Sequence, residues 1–353
     1  MATKNPSPQF IRRFIRRFIQ RFMNWQFIMN VTKYAFSFGL IGWMIATDRF
    51  NLTTIGKLII PEIILTGVLL ALVNIMVTAE RWRQIFLTQG LFLTRFETVK
   101  LSMIGIFFNI VMPGGVGGDL IKGFYFVKQN PQSRASAMTS VLMDRMIGLY
   151  AMICMALFAM LSHFTYIKNE NTLWVMFLFV SGLFLIATSG LALLFSSIGV
   201  KIFELPLLAK LPLQEKFLKL FTSFKSYRSH LPTMGYALIL SVIAQSLSIV
   251  FLFIVGQKSG LLDLPLSVYF FLAPLGFMST AIPISPAGVG VGQAAFMFLF
   301  NVYSGVQTEI GSVVITVMQL INFITGLLGA YFYMTSKVKI PENLDEPEIA
   351  LTK

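Results

Sequence analysis

Pro113-Gly114-Gly115-Val116-Gly117-Gly118-Asp119-Leu120-Ile121-Lys122 is the stretch on which the reading of this chain turns. Apolar residues lead into it from Ile104 to Met112 and leave it from Gly123 to Val127. A proline and four glycines inside such a run break the helical hydrogen-bond ladder. Backbone groups freed at membrane depth survive where they are buried in protein or line a wet cavity. The element returns 173 residues later, at position 286 against 113, as Pro286-Ala287-Gly288-Val289-Gly290-Val291-Gly292. Both copies contain Pro-x-Gly-Val-Gly. Each is expected to form a half-helix, a loop and a second half-helix, over about 98–127 and 267–302.

Composition sets the medium. The chain has 353 residues, of which 56% are hydrophobic and 12% charged. Soluble domains carry about 25% charged residues, so the chain reads as an integral membrane protein. Full spans are expected at 30–47, 58–79, 135–163, 173–195, 233–256 and 310–335, near the ~20 residues that cross a bilayer. The formal net charge of +13 fits Lys and Arg gathered on the cytoplasmic side better than it fits nucleic acid. The single cysteine, Cys154, excludes an intrachain disulfide. His163 and His230 lack metal-ligand spacing. No GxxxxGK[ST] loop is present, so P-loop ATP hydrolysis is excluded for this chain alone.

The 173-residue shift carries more than the motif. It lays helix 58–79 onto 231–252 and helix 135–163 onto 308–336, so a unit of helix, broken segment and helix occurs twice, with 173–195 connecting. If both broken segments are re-entrant, the N-terminus and residues 80–100, 122–134, 196–232 and 336–353 share one side. Of the 28 Lys and Arg, Arg49, Lys57, Lys168 and Lys258 then fall on the other side, Arg145 lies inside a helix, and the rest share the first. The positive-inside rule favours this layout. One intervening span inverts the second repeat relative to the first. The expected fold is therefore an all-α polytopic membrane protein: six full spans plus two re-entrant half-helix pairs, in an inverted repeat. Its parts are a basic amphipathic interfacial segment at 1–29, a transmembrane domain at 30–336 with repeats at 58–163 and 233–335, and a cytoplasmic tail at 337–353. The 1–29 segment repeats aromatic-aliphatic pairs with Arg between them, as a helix lying on anionic lipid does.

The candidate site gathers around the two loops. Gly114, Gly115, Gly117 and Gly118, after Pro113, free backbone N–H groups for an anion nest, or simply permit tight packing. Asp119 is placed to cap the next half-helix, and Lys122 follows one turn later. Asp144 and Arg145 are charges inside a helix, which are expensive and need partners; about 100° separates neighbours on a helix, so each needs its own, and Asp119 is the candidate for Arg145. Arg81 is either an interfacial anchor at the end of helix 58–79 or a phosphate ligand. In the second loop Pro286, Gly288 and Gly290 repeat the pattern, with Gln293 the nearest polar side chain.

Three ordered motifs resemble the lysylphosphatidylglycerol synthase transmembrane (flippase-like) family: residues 113–122, Met143-Asp144-Arg145-Met146-Ile147-Gly148-Leu149, and Ile282-Pro283-Ile284-Ser285-Pro286-Ala287-Gly288-Val289-Gly290. Glu80-Arg81-Trp82 sits where that family has an Arg-Trp pair. Many members have Arg-Glu where Gly292-Gln293 stands here, and Arg where Lys122 stands. The resemblance spans about 30–335 and implies a membrane domain, without the soluble aminoacyl-lipid synthase domain, that moves lipids between leaflets of a bacterial inner membrane with both termini cytoplasmic. The expected function is a flippase for a phospho- or glycolipid, with membrane lipids as partners, an enzyme of lipid synthesis as a further candidate partner, no nucleic acid, no cofactor and no catalytic residues. The alternatives are an intramembrane lipid-carrier transferase, with Asp119 and Asp144 its mid-membrane acids, a channel, and a non-transporting partner of a lipid synthase.

Overall fold

The computed structural model describes residues 35, 38–46, 52–112, 117–196, 214–281 and 285–335. The expected interfacial segment 1–29, the tail 337–353, most of span 30–47, residues 113–116 and Lys201 and Lys210 of the 196–232 loop lie outside the described residues. Among the described residues the secondary structure is all helical. Among the described residues five stretches are long and apolar enough to cross a membrane: Pro61–Leu87, Pro131–Ser162, Asn171–Phe195, Leu220–Ser259 and Ile310–Thr335. Large apolar side chains such as Leu65, Phe158, Leu185 and Ile186 are well exposed, as lipid-facing residues are. This is a multi-pass membrane protein.

The helices are α1 (Leu52–Leu58), α2 (Pro61–Leu87), α3 (Arg95–Val111), α4 (Gly117–Gln129), α5 (Arg134–Ser162), α6 (Phe164–Asn169), α7 (Asn171–Phe195), α8 (Gln214–Ser226), α9 (Leu231–Ser259), α10 (Leu266–Ala281), α11 (Val291–Ser304) and α12 (Ile310–Thr335). Their ends follow local chemistry. Pro61 opens α2 where its missing N–H is not needed. Thr94 and Glu97 form a reciprocal capping box at α3. Gly260 and Gly305, in the left-handed region at φ 64° and 69°, close α9 and α11.

One boundary corrects the sequence reading. Helix α2 continues to Leu87 rather than ending near position 79, so Arg81 is an interior helical residue, and its side chain is buried against the bundle. The reason is that its polar atoms are satisfied by neighbouring helices, as set out below. The 196–232 stretch also contains a packed helix, α8, whose Phe224, with Tyr227 beyond it, is buried against the bundle.

α2 and α9 form an antiparallel central pair. Glu62 bonds Lys258 at one end, Gly67 lies on Phe251, Asn74 bonds Ala244, and Arg81 bonds Ser241 toward the other end. α3 and α4 fold back on each other: Gly105 packs on Gly118 and Met112 on Gly117. The open end of this hairpin lies at the Glu80 end of α2, where Arg95 bonds Glu80 at 3.5 Å and Phe126 packs on Trp82 and Phe86. α10 and α11 form a second hairpin, with Thr280 on Gly292, Phe277 on Phe296 and Tyr269 on Phe300. Its open end lies at the Glu62 end, since Tyr269 fills the space over Gly256. At 17, 13, 16 and 14 residues the hairpin helices are roughly 20–26 Å long, short of a ~30 Å hydrocarbon core.

The remaining contacts fall into corresponding pairs. α5 packs on α4 with its first half and on α10 with its second; α12 packs on α11 with its first half and on α3 with its second. Cβ atoms at Gly326 and Gly329 would collide with Ile110 and the Met103 carbonyl, so small residues let α12 approach α3.

Candidate functional site

Two buried charges face each other across the bundle. Arg81 and Asp144 are 8% and 6% exposed, and Arg81 Nε donates to Asp144 Oδ1 at 2.7 Å. Arg81 Nη1 also donates to Ser241 Oγ on α9 at 3.0 Å. α2, α5 and α9 are thus joined by one charge-assisted cluster. Gly148 makes room for it, because a Cβ there would stand 3.1 Å from Arg81 Nη1. The adjacent Trp82 is fully buried and donates its indole N–H to Ser140 at 3.3 Å.

The second ion pair lies on the hairpin. Asp119, in the first turn of α4, accepts from Arg145 Nε on α5. Arg145 is therefore turned to α4 while Asp144 is turned to α2, as their ~100° separation requires. Lys122 Nζ lies 4.6 Å over the Trp82 ring, a cation–π contact that leaves ammonium N–H groups for an anion. Its stem crosses α3 at Gly105, where a Cβ would come within 3.1 Å of it. Lys122 and Arg145 are thus brought to one layer, around Asp119, on the Arg95 side of the hairpin tip.

Pro113, Gly114 and Gly115 lie outside the described residues. Gly117 and Gly118 serve close packing: a Cβ at Gly117 would stand 2.7 Å from the Phe108 carbonyl oxygen, and one at Gly118 would strike the Gly105 carbonyl. The Gly118 N–H is not open to an anion, since it donates to Asn109 Oδ1 at 2.8 Å. The second loop uses conformation instead. Ala287, Gly288 and Gly290 take φ of 49°, 72° and 84°, the left-handed side that glycine adopts at little cost. Gln293 caps α11, accepting from the Gly290 N–H at 2.7 Å and donating to Thr316 at 3.1 Å and Gln319 at 2.6 Å. Its polar ends are used within the protein. Pro286 opens the turn of residues 286–288 that carries Ala287 and Gly288.

The end of α3, at Asn109 and Ile110, and the second hairpin, at Thr280 and Ala287, border a cavity of about 350 Å³. α2 contributes Asn74, α3 Asn109, α9 Ser248, α10 Thr280 and α12 Asn322 and Thr325, and Ala287 of the second loop closes one side. Asn74, Asn109 and Asn322 are not among the candidates the sequence offers, because no motif marks a single amide on an apolar helix. Apolar grooves flank the bundle: one of about 520 Å³ lies between α5, α7 and α8, and two others stand in corresponding places. Of those two, one, about 670 Å³, runs along α2, α3 and α12 past Met76, Phe96, Leu328 and Tyr331 at the Glu80 end. The other, about 460 Å³, runs along α5, α9 and α10 at the opposite end. Met155, Phe158 and Ala159 line the second where Leu328, Tyr331 and Phe332, each 173 positions later, line the first.

Residues 30–329 match the family described as the lysylphosphatidylglycerol synthase TM region. No curated protein and no solved structure matches the chain.

Proposed function

Because the chain belongs to the lysylphosphatidylglycerol synthase transmembrane-region family, we propose that it is a lipid flippase, carrying a phosphate-bearing phospho- or glycolipid between the leaflets. One observation carries this reading. Two hairpins, each too short to span, open at opposite ends of the α2–α9 pair and approach each other at a cavity that sets three amides and several hydroxyls among apolar side chains. In a bilayer they are re-entrant from opposite faces, and the helix–hairpin–helix units are inverted repeats, an arrangement shared by secondary transporters.

The chemistry follows the path of a lipid. The two corresponding grooves reach opposite leaflets and take acyl chains, while the headgroup crosses through the cavity between the hairpins. Lys122 and Arg145 form the phosphate contact on the Arg95 side, which the excess of basic residues assigns to the cytoplasm. Rocking of one repeat against the other exchanges the open groove. The buried Arg81–Asp144 pair holds α2 to α5 within the first repeat, and the Arg81–Ser241 bond is a contact between the two repeats.

The test is leaflet-resolved lipid movement. Purified protein is placed in vesicles carrying a headgroup-labelled phospholipid, and the outer label is destroyed by an impermeant reagent. The wild type is expected to expose the inner pool faster than empty vesicles, and Gly290→Val is expected not to. Equal rates with and without protein, for phospholipid and glycolipid alike, refute the proposal.

A further inference from the structure

We infer that the cavity between the hairpins recognises the neutral, hydroxyl-bearing part of a lipid headgroup, a glycerol or a sugar, and disfavours cationic aminoacyl headgroups. The inference deepens the transport reading by naming the class of cargo.

Among the mostly apolar side chains of the lining stand three amides with unused capacity. Asn109 Oδ1 is taken by the Gly118 N–H at 2.8 Å, and its NH₂ has no protein acceptor among the described residues. Asn74 is the reverse: its NH₂ bonds the Ala244 carbonyl at 2.6 Å and Ser248 at 3.1 Å, leaving Oδ1 without a protein donor there. The Asn322 side chain has neither end bonded among the described residues. Three helices thus present donors (Asn109, Asn322) and acceptors (Asn74, Asn322) to one space. A hydroxyl both gives and takes a hydrogen bond, so a polyol answers such a lining where a purely anionic or purely cationic group does not.

Charge points the same way. No ionisable side chain lines the cavity among the described residues. An ammonium brought into it would need an acid, and the nearest candidates by sequence, Asp119 and Asp144, are committed to Arg145 and Arg81. An ion left without a partner in a low-dielectric site is strongly disfavoured. The phosphate has its own place. Lys122 crosses α3 at Gly105, one helical turn from Asn109, so a phosphodiester at Lys122 puts its terminal hydroxyls toward the amides. The family's name refers to a lysylated lipid, whose amines this cavity is not built to receive.

Equilibrium binding of three short-chain lipids to purified protein tests this directly. They are phosphatidylglycerol, phosphatidylethanol (a phosphodiester of equal charge with no headgroup hydroxyl) and lysylphosphatidylglycerol. Wild type should hold phosphatidylglycerol about 3- to 10-fold more tightly than phosphatidylethanol, the effect of one or two neutral hydrogen bonds. Lysylphosphatidylglycerol should bind at least about 10-fold more weakly than phosphatidylglycerol, as an unpaired buried charge requires. Asn322→Leu should erase the preference for phosphatidylglycerol while phosphatidylethanol still binds, which shows a folded site. Asn322→Asp should shift preference toward the lysylated lipid. Equal wild-type binding of phosphatidylglycerol and phosphatidylethanol, or tightest binding of the lysylated lipid, overturns the inference. Because binding is read without transport, the two readings fail separately. Selective binding without lipid movement refutes the flippase and leaves this site standing; lipid movement without headgroup selectivity does the converse.

Discussion

Cutting one side of the Arg81–Asp144 pair should cost far more than removing both. The pair is nine-tenths buried on each side and bonded at 2.7 Å, with Ser241 as a third member at 3.0 Å. Asp144→Leu leaves a guanidinium among apolar helices with a single serine for company, and breaking a buried pair in this way costs about 3–5 kcal/mol. Arg81→Met with Asp144→Leu removes both charges together and fills the space with carbon, which is often close to neutral. With unfolding entropy of about 2.1 cal/mol/K per residue over 353 residues, 4 kcal/mol corresponds to a fall of roughly 5 °C in melting temperature. Melting of the purified protein in one detergent should show both single variants falling by about that much and the double variant recovering most of it. A double variant whose loss equals the sum of the singles would show that the charges do not interact, and the account of α2, α5 and α9 as one electrostatic unit would be wrong.

Further outcomes follow from the same geometry. Lys122→Ala should weaken phosphate-lipid binding about 10- to 150-fold, the range of a charge-assisted contact, while Lys122→Arg retains most of it; unchanged binding in Lys122→Ala removes the phosphate role. Gly290→Val, at φ 84°, and Gly117→Val, against Met112 and the Phe108 carbonyl, should abolish lipid movement. Gly182→Val, which has open space around it, should stay within about 0.5 kcal/mol of wild-type stability, the usual range for such surface changes. The Glu97 carboxyl is held below the usual glutamate range by the Thr94 hydroxyl and then the Thr94 backbone N–H. Its capping of α3 is therefore complete above the ordinary glutamate pKa and is lost as pH falls through the lowered value. Glu97→Gln should remove that pH-dependent part of the stability, and a wild-type melting curve unchanged across the acid range would contradict it.

Much of the fold was legible because the cues are local. Pro and Gly inside apolar runs marked both hairpins within a few residues, and long uncharged stretches marked the five candidate spans among the described residues. The ~100° between neighbours on a helix called for separate partners for Asp144 and Arg145; Asp119 was the candidate for Arg145, and the two are bonded. The partner of Asp144 was not found. Arg81 lies 63 residues away, and Arg-Trp at the edge of an apolar run looks the same whether it faces headgroups or a buried aspartate. Gly148 and Gly105 were the available signals, since small residues mark where a long cation must fit, but many glycines in a membrane helix serve packing alone. The cavity was not legible at all. Its amides sit at positions 74, 109 and 322, and the pairing of three helices that brings them together is a tertiary fact with no one-dimensional trace.

The most direct test of the account is which side of the membrane each hairpin opens toward. In a Cys154→Ser background, a single cysteine is placed at Phe96, at the open end of the first hairpin, or at Val306, just past the end of the second; both positions are well exposed. Each is then labelled with an impermeant thiol reagent in sealed vesicles of known orientation. Position 96 is expected to label from the cytoplasmic side and position 306 from the opposite side. Labelling of both from one side would contradict the inverted hairpins and, with them, the path proposed for the lipid.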